Sequence, residues 1–229
     1  MDGTTGAVVG EILPLALGVA ISPIPVIAAI LMLLSPRAKG TGVAFMLGWI
    51  VGIVVAVTAF TLLSSALPTN DSDAANPTAG WIKIGLGALL LLLAANQWHG
   101  RPAAGADPAL PGWMKAIDEM TPVKGGGFGF LLSAVNPKNL IMAAGAGVTI
   151  GGASAGLDAG SEALAIAVFT VIASASVAVP VIAYLVASDR MAGPLESMHR
   201  WLVKENSAVM AVLLLVIGVA MIGKGLGDL

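Results

Sequence analysis

The sequence has no cysteine and only two histidines in 229 residues. The lack of cysteine excludes disulfides, thiolate metal sites and cysteine nucleophiles, and two histidines far apart do not make a metal cluster. Charge is scarce as well, because Asp, Glu, Lys and Arg together make up 10% of the chain, against about 25% in an ordinary soluble domain. This chain therefore cannot cover a water-facing surface with polar groups.

The sign of the charge excludes a further class of function. The chain has 11 Lys and Arg against 13 Asp and Glu, a net charge of −2, and its bases are spread along the sequence. A protein that binds nucleic acid needs a basic patch to neutralise phosphates. We expect no nucleic-acid partner, and no motif predicts a cofactor or a bound metal.

Long apolar runs are what the chain has in abundance. It is 57% hydrophobic, with a mean hydropathy of +0.94. A membrane helix needs roughly 20 mostly apolar residues, and six stretches approximately meet this condition: 11–34, 41–67, 80–96, 125–150, 161–187 and 207–223. The sequence therefore predicts an all-α integral membrane protein with six transmembrane helices.

The links between these spans differ in charge. Lys and Arg occur in the links after the first, third and fifth spans, whereas the links after the second and fourth contain Asp and no base. By the positive-inside rule, the three basic links are cytoplasmic. We therefore expect a multi-pass protein of the plasma membrane with both termini outside.

Three spans, a basic link and three more spans predict one transmembrane domain, 1–229, built from two inverted three-helix repeats. The first repeat covers 8–97, the second covers 125–226, and 98–124 is a cytoplasmic loop between them. In this loop Trp113, Ile117 and Met120 have the spacing of a short interfacial helix. That helix lies either on the inner leaflet or against the protein as an ordinary loop helix.

Each repeat begins with a span that proline interrupts. When Ser22 is aligned with Asn136, Pro23 falls on Pro137, and Pro25 follows two residues later in the first span. Proline inside a helix costs about 3 kcal/mol, and non-helical backbone in a membrane is tolerated only where it is buried in protein or lines a wet cavity. A broken first helix in each inverted repeat is typical of the midplane site of a transporter.

Lys138 is the only ionisable side chain in the middle of a predicted span. A central lysine costs roughly 2.5–3.5 kcal/mol on insertion scales, so a functional role is expected of it. Its expected neighbours are Asn136, Asn139 and Ser22, and a cation among amides and opened helix ends suits a phosphate, sulfate or carboxylate. The alternative is that Lys138 only caps the broken helix by donating to backbone carbonyls.

The fifth span contains a proline and several hydroxyl groups. Pro180 is expected to kink this helix. Thr170, Ser174 and Ser176 precede it, and their hydroxyls either satisfy backbone groups of the kinked helix or line a cavity.

Four motifs together resemble a known family. They are Ser22-Pro23-Ile24-Pro25, Ser35-Pro36-Arg37-Ala38, Phe45-Met46-Leu47-Gly48-Trp49 and Asn136-Pro137-Lys138-Asn139. They are similar to motifs of the lysine-exporter superfamily and, more narrowly, of its actinobacterial branch of glycopeptidolipid- and sulfolipid-addressing proteins. The resemblance covers nearly the whole chain. It implies a plasma-membrane protein that helps to move cell-envelope lipids, glycolipids or a related small amphiphile out of the cytoplasmic side.

The substrate class follows from one departure from the wider superfamily. Its cation-handling members carry acidic residues in their spans, whereas the span motif of this chain carries Lys138 and no acid. The resemblance and the residues therefore both favour an anionic or lipid headgroup over a cation.

We thus predict a transporter that exports or translocates cell-envelope (glyco)lipids or lipid-linked anionic amphiphiles. The predicted binding residues are Lys138, Asn136, Asn139 and Ser22, and the predicted helix-breaking residues are Pro23, Pro25 and Pro137. The alternatives are a small-metabolite or amino-acid exporter, and an accessory subunit of a larger lipid-export complex. Glycine-rich spans are compatible with a homodimer. An enzyme is not expected, because the spans offer neither a nucleophile with a base nor paired carboxylates.

Overall fold

A computed structural model describes residues 3–66, 77–100, 117–153 and 156–227, and these ranges are helical apart from short turns. The helices are α1 (Gly3–Ala20), α2 (Pro23–Leu34), α3 (Ala38–Ala66), α4 (Pro77–His99), α5 (Pro122–Ala134), α6 (Pro137–Gly152) and α7 (Ala159–Gly227). A single 3-10 turn, Ile117–Glu119, precedes α5 in the described chain. The predicted all-α class is confirmed.

The predicted spans correspond to these helices in three different ways. The first and fourth spans are each two helices, α1 with α2 and α5 with α6, and α1 and α2 meet at a bend of 53°. The second and third spans correspond to α3 and α4. The fifth and sixth both lie in α7, which also includes the link between them. Its backbone leaves helical geometry at Ala187 (φ −143°, ψ 49°) and not at Pro180, where the kink was expected.

The helices are apolar enough for a membrane. Among the described residues, α3 over Ala38–Ser65 and α7 are each long and apolar enough to cross one, and α1 with α2 is a third candidate if the bent pair forms one span. Large apolar side chains on the surface include Leu62 at 63% and Val171 at 68% exposure. Such a surface suits lipid tails better than water. The protein is therefore a helical membrane protein, and the count of six spans stays a prediction.

The chain forms two compact units. The first comprises Met1–Thr69 and Leu110–His199, and the second comprises Asn70–Ala109 and Arg200–Leu229. In the second unit α4 packs on the end of α7 through Leu90, Ala94 and Leu214. A Cβ built on Gly87 would lie 2.7 Å from the carbonyl oxygen of Gly218, so these two backbones touch through glycine.

Helix α3 lies along α5 and α6 in the first unit. The contacts run in the same order along both, since Gly129 lies against Phe45 and Gly147 against Phe60. Helix α3 is therefore parallel to the α5–α6 pair. A Cβ on Gly48 would overlap the carbonyl oxygen of Gly126, so glycine at this position lets α3 and α5 approach closely.

The loop before α5 is described only from Ile117 onward, and Trp113 lies outside the described residues. Ile117 is 1% exposed and belongs to the turn that packs against α2, and Met120 is half-buried. At Ile117, therefore, the loop packs against protein and not against lipid.

Candidate functional site

The first break leaves several backbone carbonyls without the helical N–H four residues ahead, and those of Gly18 and Ile21 are two of them. The N–H of Ser22 donates to the carbonyl of Ala20 at 2.8 Å, so the carbonyl of Gly18 loses the partner four residues ahead that a continuous helix would supply. The carbonyl of Ile21 would need the N–H of residue 25, which is Pro25 and has none. Gly18 and Ile21 thus end α1 with two acceptors that this helix cannot satisfy.

Lys138, which lies at the second break, donates hydrogen bonds to both of these carbonyls. Its Nζ donates to the carbonyl oxygen of Gly18 at 2.7 Å and to that of Ile21 at 3.2 Å, and the residue is 9% exposed. The last carbonyls of a helix carry partial negative charge, so they attract the positively polarised N–H groups of a lysine. The structure shows the capping contact, while contact between Lys138 and a substrate stays a prediction.

At the second break, between α5 and α6, nearby side chains bond the free backbone groups. The Oδ1 of Asn136, the N-cap of α6, accepts from the backbone N–H of Lys138 at 3.0 Å. The Nδ2 of Asn139 donates to the carbonyl of Leu132 near the end of α5 at 3.1 Å. Pro137 occupies the first position of α6, where a missing N–H costs little. The Oδ1 of Asn139 is buried and has no hydrogen-bond partner in the described structure.

The start of α2 matches that of α6 in position but not in capping. Ser22 is the N-cap residue (φ −130°, ψ 102°), yet its side chain makes no capping hydrogen bond. It is 5% exposed, and Pro23 and Pro25 behind it are buried. A helix N-terminus carries partial positive charge, although Pro23 and Pro25 leave Ile24 as the one residue with an N–H among the first three of α2. The uncapped start of α2 directly follows Ile21, whose carbonyl accepts a hydrogen bond from Lys138.

The four predicted binding residues all lie at the two breaks, but they do not form one cluster of hydrogen bonds. The Nζ of Lys138 bonds a backbone carbonyl of the first break, whereas the side chains of Asn136 and Asn139 bond backbone groups of the second break. Sequence reasoning missed the carbonyl of Ile21 as an acceptor, although a proline four residues later was the signal for it. In the part of the chain described here, no group of three or more His, Asp or Glu side chains could hold a metal ion.

An open groove of about 480 Å³ lies between α3 and α7 in the first unit. Its lining is almost entirely apolar and consists of Val54, Thr58, Ala163, Ile166, Ala167, Thr170 and Val171. The Oγ1 of Thr170 donates to the carbonyl of Ile166 at 2.8 Å, and the Oγ of Ser174 to that of Val171 at 3.3 Å. The hydroxyls of Thr170 and Ser174 thus satisfy backbone groups of their own helix, and Thr170 also lines the groove. The Oγ of Ser176 is buried and has no hydrogen-bond partner in the described residues.

Comparison with known protein families gives a match over most of the chain. The family model described as Sap, sulfolipid-1-addressing protein, matches residues 12–227, a range that contains both breaks and all of α7. None of the curated proteins matches the chain, and no solved structure matches it.

Proposed function

The chain belongs to the Sap, sulfolipid-1-addressing protein family, and on this premise we propose that it moves an anionic cell-envelope lipid across the plasma membrane. The family name refers to a sulfolipid, and a sulfated headgroup is an anion. One observation supports the choice of an anionic headgroup. Lys138 is a buried lysine at the start of α6, and it donates hydrogen bonds to carbonyls at the end of α1. The proposal includes no enzymatic activity and no nucleic-acid partner.

We propose that the membrane arrangement is six transmembrane helices in two inverted three-helix repeats. The matched N-caps Ser22 and Asn136, each followed by proline, support the repeat. The parallel course of α3 and the α5–α6 pair supports the orientation, because both begin at basic links that the positive-inside rule assigns to the cytoplasm. Both termini would then lie outside.

The headgroup would bind where the two breaks meet. An ammonium has three N–H donors, and Lys138 uses two of them on Gly18 and Ile21. The third would donate to a sulfate or phosphate oxygen, with the uncapped start of α2 at Ser22 as a second source of positive potential. The unpartnered Oδ1 of Asn139 would accept from a hydroxyl of a glycolipid headgroup.

An accessory subunit of a larger lipid-export complex is the second candidate. The observation that favours it is that Lys138, Asn136 and Asn139 all already bond backbone groups. If these bonds serve the fold alone, the chain would have no headgroup site of its own and would act through a partner. The two candidates differ in whether the purified protein moves lipid unaided.

The test is reconstitution of the purified full chain in liposomes with a labelled sulfolipid and a labelled neutral lipid. We expect the wild type to move the sulfolipid, and the variant Lys138→Ala to lose at least about tenfold in rate, since tenfold corresponds to only about 1.4 kcal/mol. Lys124→Ala is the matched control, because Lys124 is an exposed lysine at the start of α5. It should keep the wild-type rate.

Each contrary result has a defined meaning. Equal rates for the wild type and Lys138→Ala would show that the headgroup does not bind at Lys138 and the first break. No lipid movement by a folded wild-type protein would reject the transporter, and co-purification with a larger assembly would then support the accessory role.

A further inference from the structure

The contact between Lys138 and the end of α1 has the form of a cation held by backbone carbonyls. The oxygens of Gly18 and Ile21 lie 2.7 Å and 3.2 Å from Nζ. No ion pair joins Lys138 to a carboxylate within the described chain, so its direct partners are dipoles. We call these two carbonyl oxygens, at the end of α1, the carbonyl cradle.

The cradle needs a positive partner for reasons that do not involve a substrate. Its two oxygens lie at the negative end of the α1 dipole, and a helical N–H is denied to each by the Ser22 turn and by Pro25. Buried acceptors that stay unsatisfied destabilise a protein. In membrane transporters with broken helices, unwound carbonyls of this kind commonly coordinate a free ion such as Na⁺.

We propose that the carbonyl cradle is a site for a small monovalent cation and that the ammonium of Lys138 fills it in the native protein. The side chain is then a positioning residue, since it holds the end of α1 against the start of α6. A shortened side chain would leave a cradle that accepts an ammonium ion from solution. This inference does not rest on the proposed lipid transport, because it concerns the native fold of the broken helices.

The test is chemical rescue, read as the thermal unfolding midpoint of the full chain in detergent. We expect Lys138→Ala to lower the midpoint by about 5 °C or more in choline chloride, since two buried carbonyls lose their donor. Ammonium or methylammonium chloride at equal ionic strength should restore at least half of that loss. Choline is too large for the cradle and serves as the salt control, and the wild type should respond equally to all three salts.

Two further variants separate a filled site from lost packing. Lys138→Met keeps the length of the side chain but not the charge, so it should be destabilised and should not respond to ammonium. Lys138→Arg keeps the charge and should stay nearer the wild type than Lys138→Met does. If Lys138→Ala does not fold, the comparison of Arg with Met decides the question.

Three results would overturn the proposal. They are a wild-type midpoint for Lys138→Ala, equal stabilisation of that variant by choline and ammonium, and a Met variant as stable as the Arg variant. Because the readout is stability and not lipid movement, its failure would leave the lipid proposal intact, and failure of lipid movement would leave this one intact.

Discussion

At the scale of single residues, the two breaks differ in how their second helices are capped. The Oδ1 of Asn136 accepts the N–H of Lys138 at 3.0 Å, whereas the side chain of Ser22 at the corresponding position makes no capping bond. Aligned residues in the two halves of the chain therefore have different local roles. Asn136 stabilises its helix, and the hydroxyl of Ser22 remains available to another group.

This difference predicts unequal effects of two alanine substitutions. Asn136→Ala should lower the free energy of unfolding by about 1 kcal/mol, the usual cost of a lost N-cap. Ser22→Ala should lower it by less than Asn136→Ala does, because the side chain of Ser22 makes no capping bond that could be lost. Denaturant or thermal unfolding of both variants under the same conditions measures the contrast. A larger loss for Ser22→Ala would show that Ser22 is the stabilising cap.

At the scale of helices, close contact between α3 and α5 depends on glycine. A Cβ on Gly48 would overlap the carbonyl oxygen of Gly126, while a Cβ on Gly127 would have no atom within 4 Å. Both positions lie in the middle of helices, where alanine is preferred to glycine by roughly 0.5–1 kcal/mol. Helix propensity and packing thus act in opposite directions at Gly48 but not at Gly127.

We therefore predict opposite signs for the same substitution at these two positions. Gly48→Ala should destabilise the protein by about 1–3 kcal/mol, because α3 and α5 must move apart. Gly127→Ala should be neutral or slightly stabilising, since it gains helix propensity without a clash. The unfolding midpoints of the two variants check this prediction. Equal stability of both variants would mean that α3 and α5 can move apart without loss of stability.

The positions of the two helix breaks could be predicted from the sequence, but the side-chain contact that joins them could not. Pro23 and Pro137 fix the break positions through local chemistry, because proline is favoured at the first position of a helix and excluded from its interior. The link from Lys138 to Gly18 joins residues 120 positions apart, and no local pattern specifies such a partner. The charged residues of the link inside α7 indicated a boundary between two spans, and in the structure this link is itself helical.

At the scale of the whole molecule, helix direction and charge agree. Helix α3 and the α5–α6 pair are parallel, and the charge of the links independently predicts that both run from the cytoplasm outward. This agreement supports the orientation proposed for the first unit. It also makes the orientation testable at two exposed positions, Lys39 at the start of α3 and Gly160 at the start of α7.

The chain has no cysteine, so a single introduced cysteine reports its own side of the membrane. We expect Gly160→Cys to react with an impermeant maleimide in intact cells, and Lys39→Cys to react only after permeabilisation. The unmodified chain is the blank. Labelling of both variants from the same side would contradict the parallel transmembrane course of α3 and α5–α6.

The long separation between Lys138 and the end of α1 has a consequence for biosynthesis. The carbonyls of Gly18 and Ile21 are made about 120 residues before the side chain that binds them. At about 5–20 residues per second, the ribosome needs roughly 6–24 s to cover that distance. During this interval the first broken helix has no internal partner for these two groups, so water or the insertion machinery must supply one. The native bend of α1 and α2 can therefore be completed only after Lys138 has been synthesised.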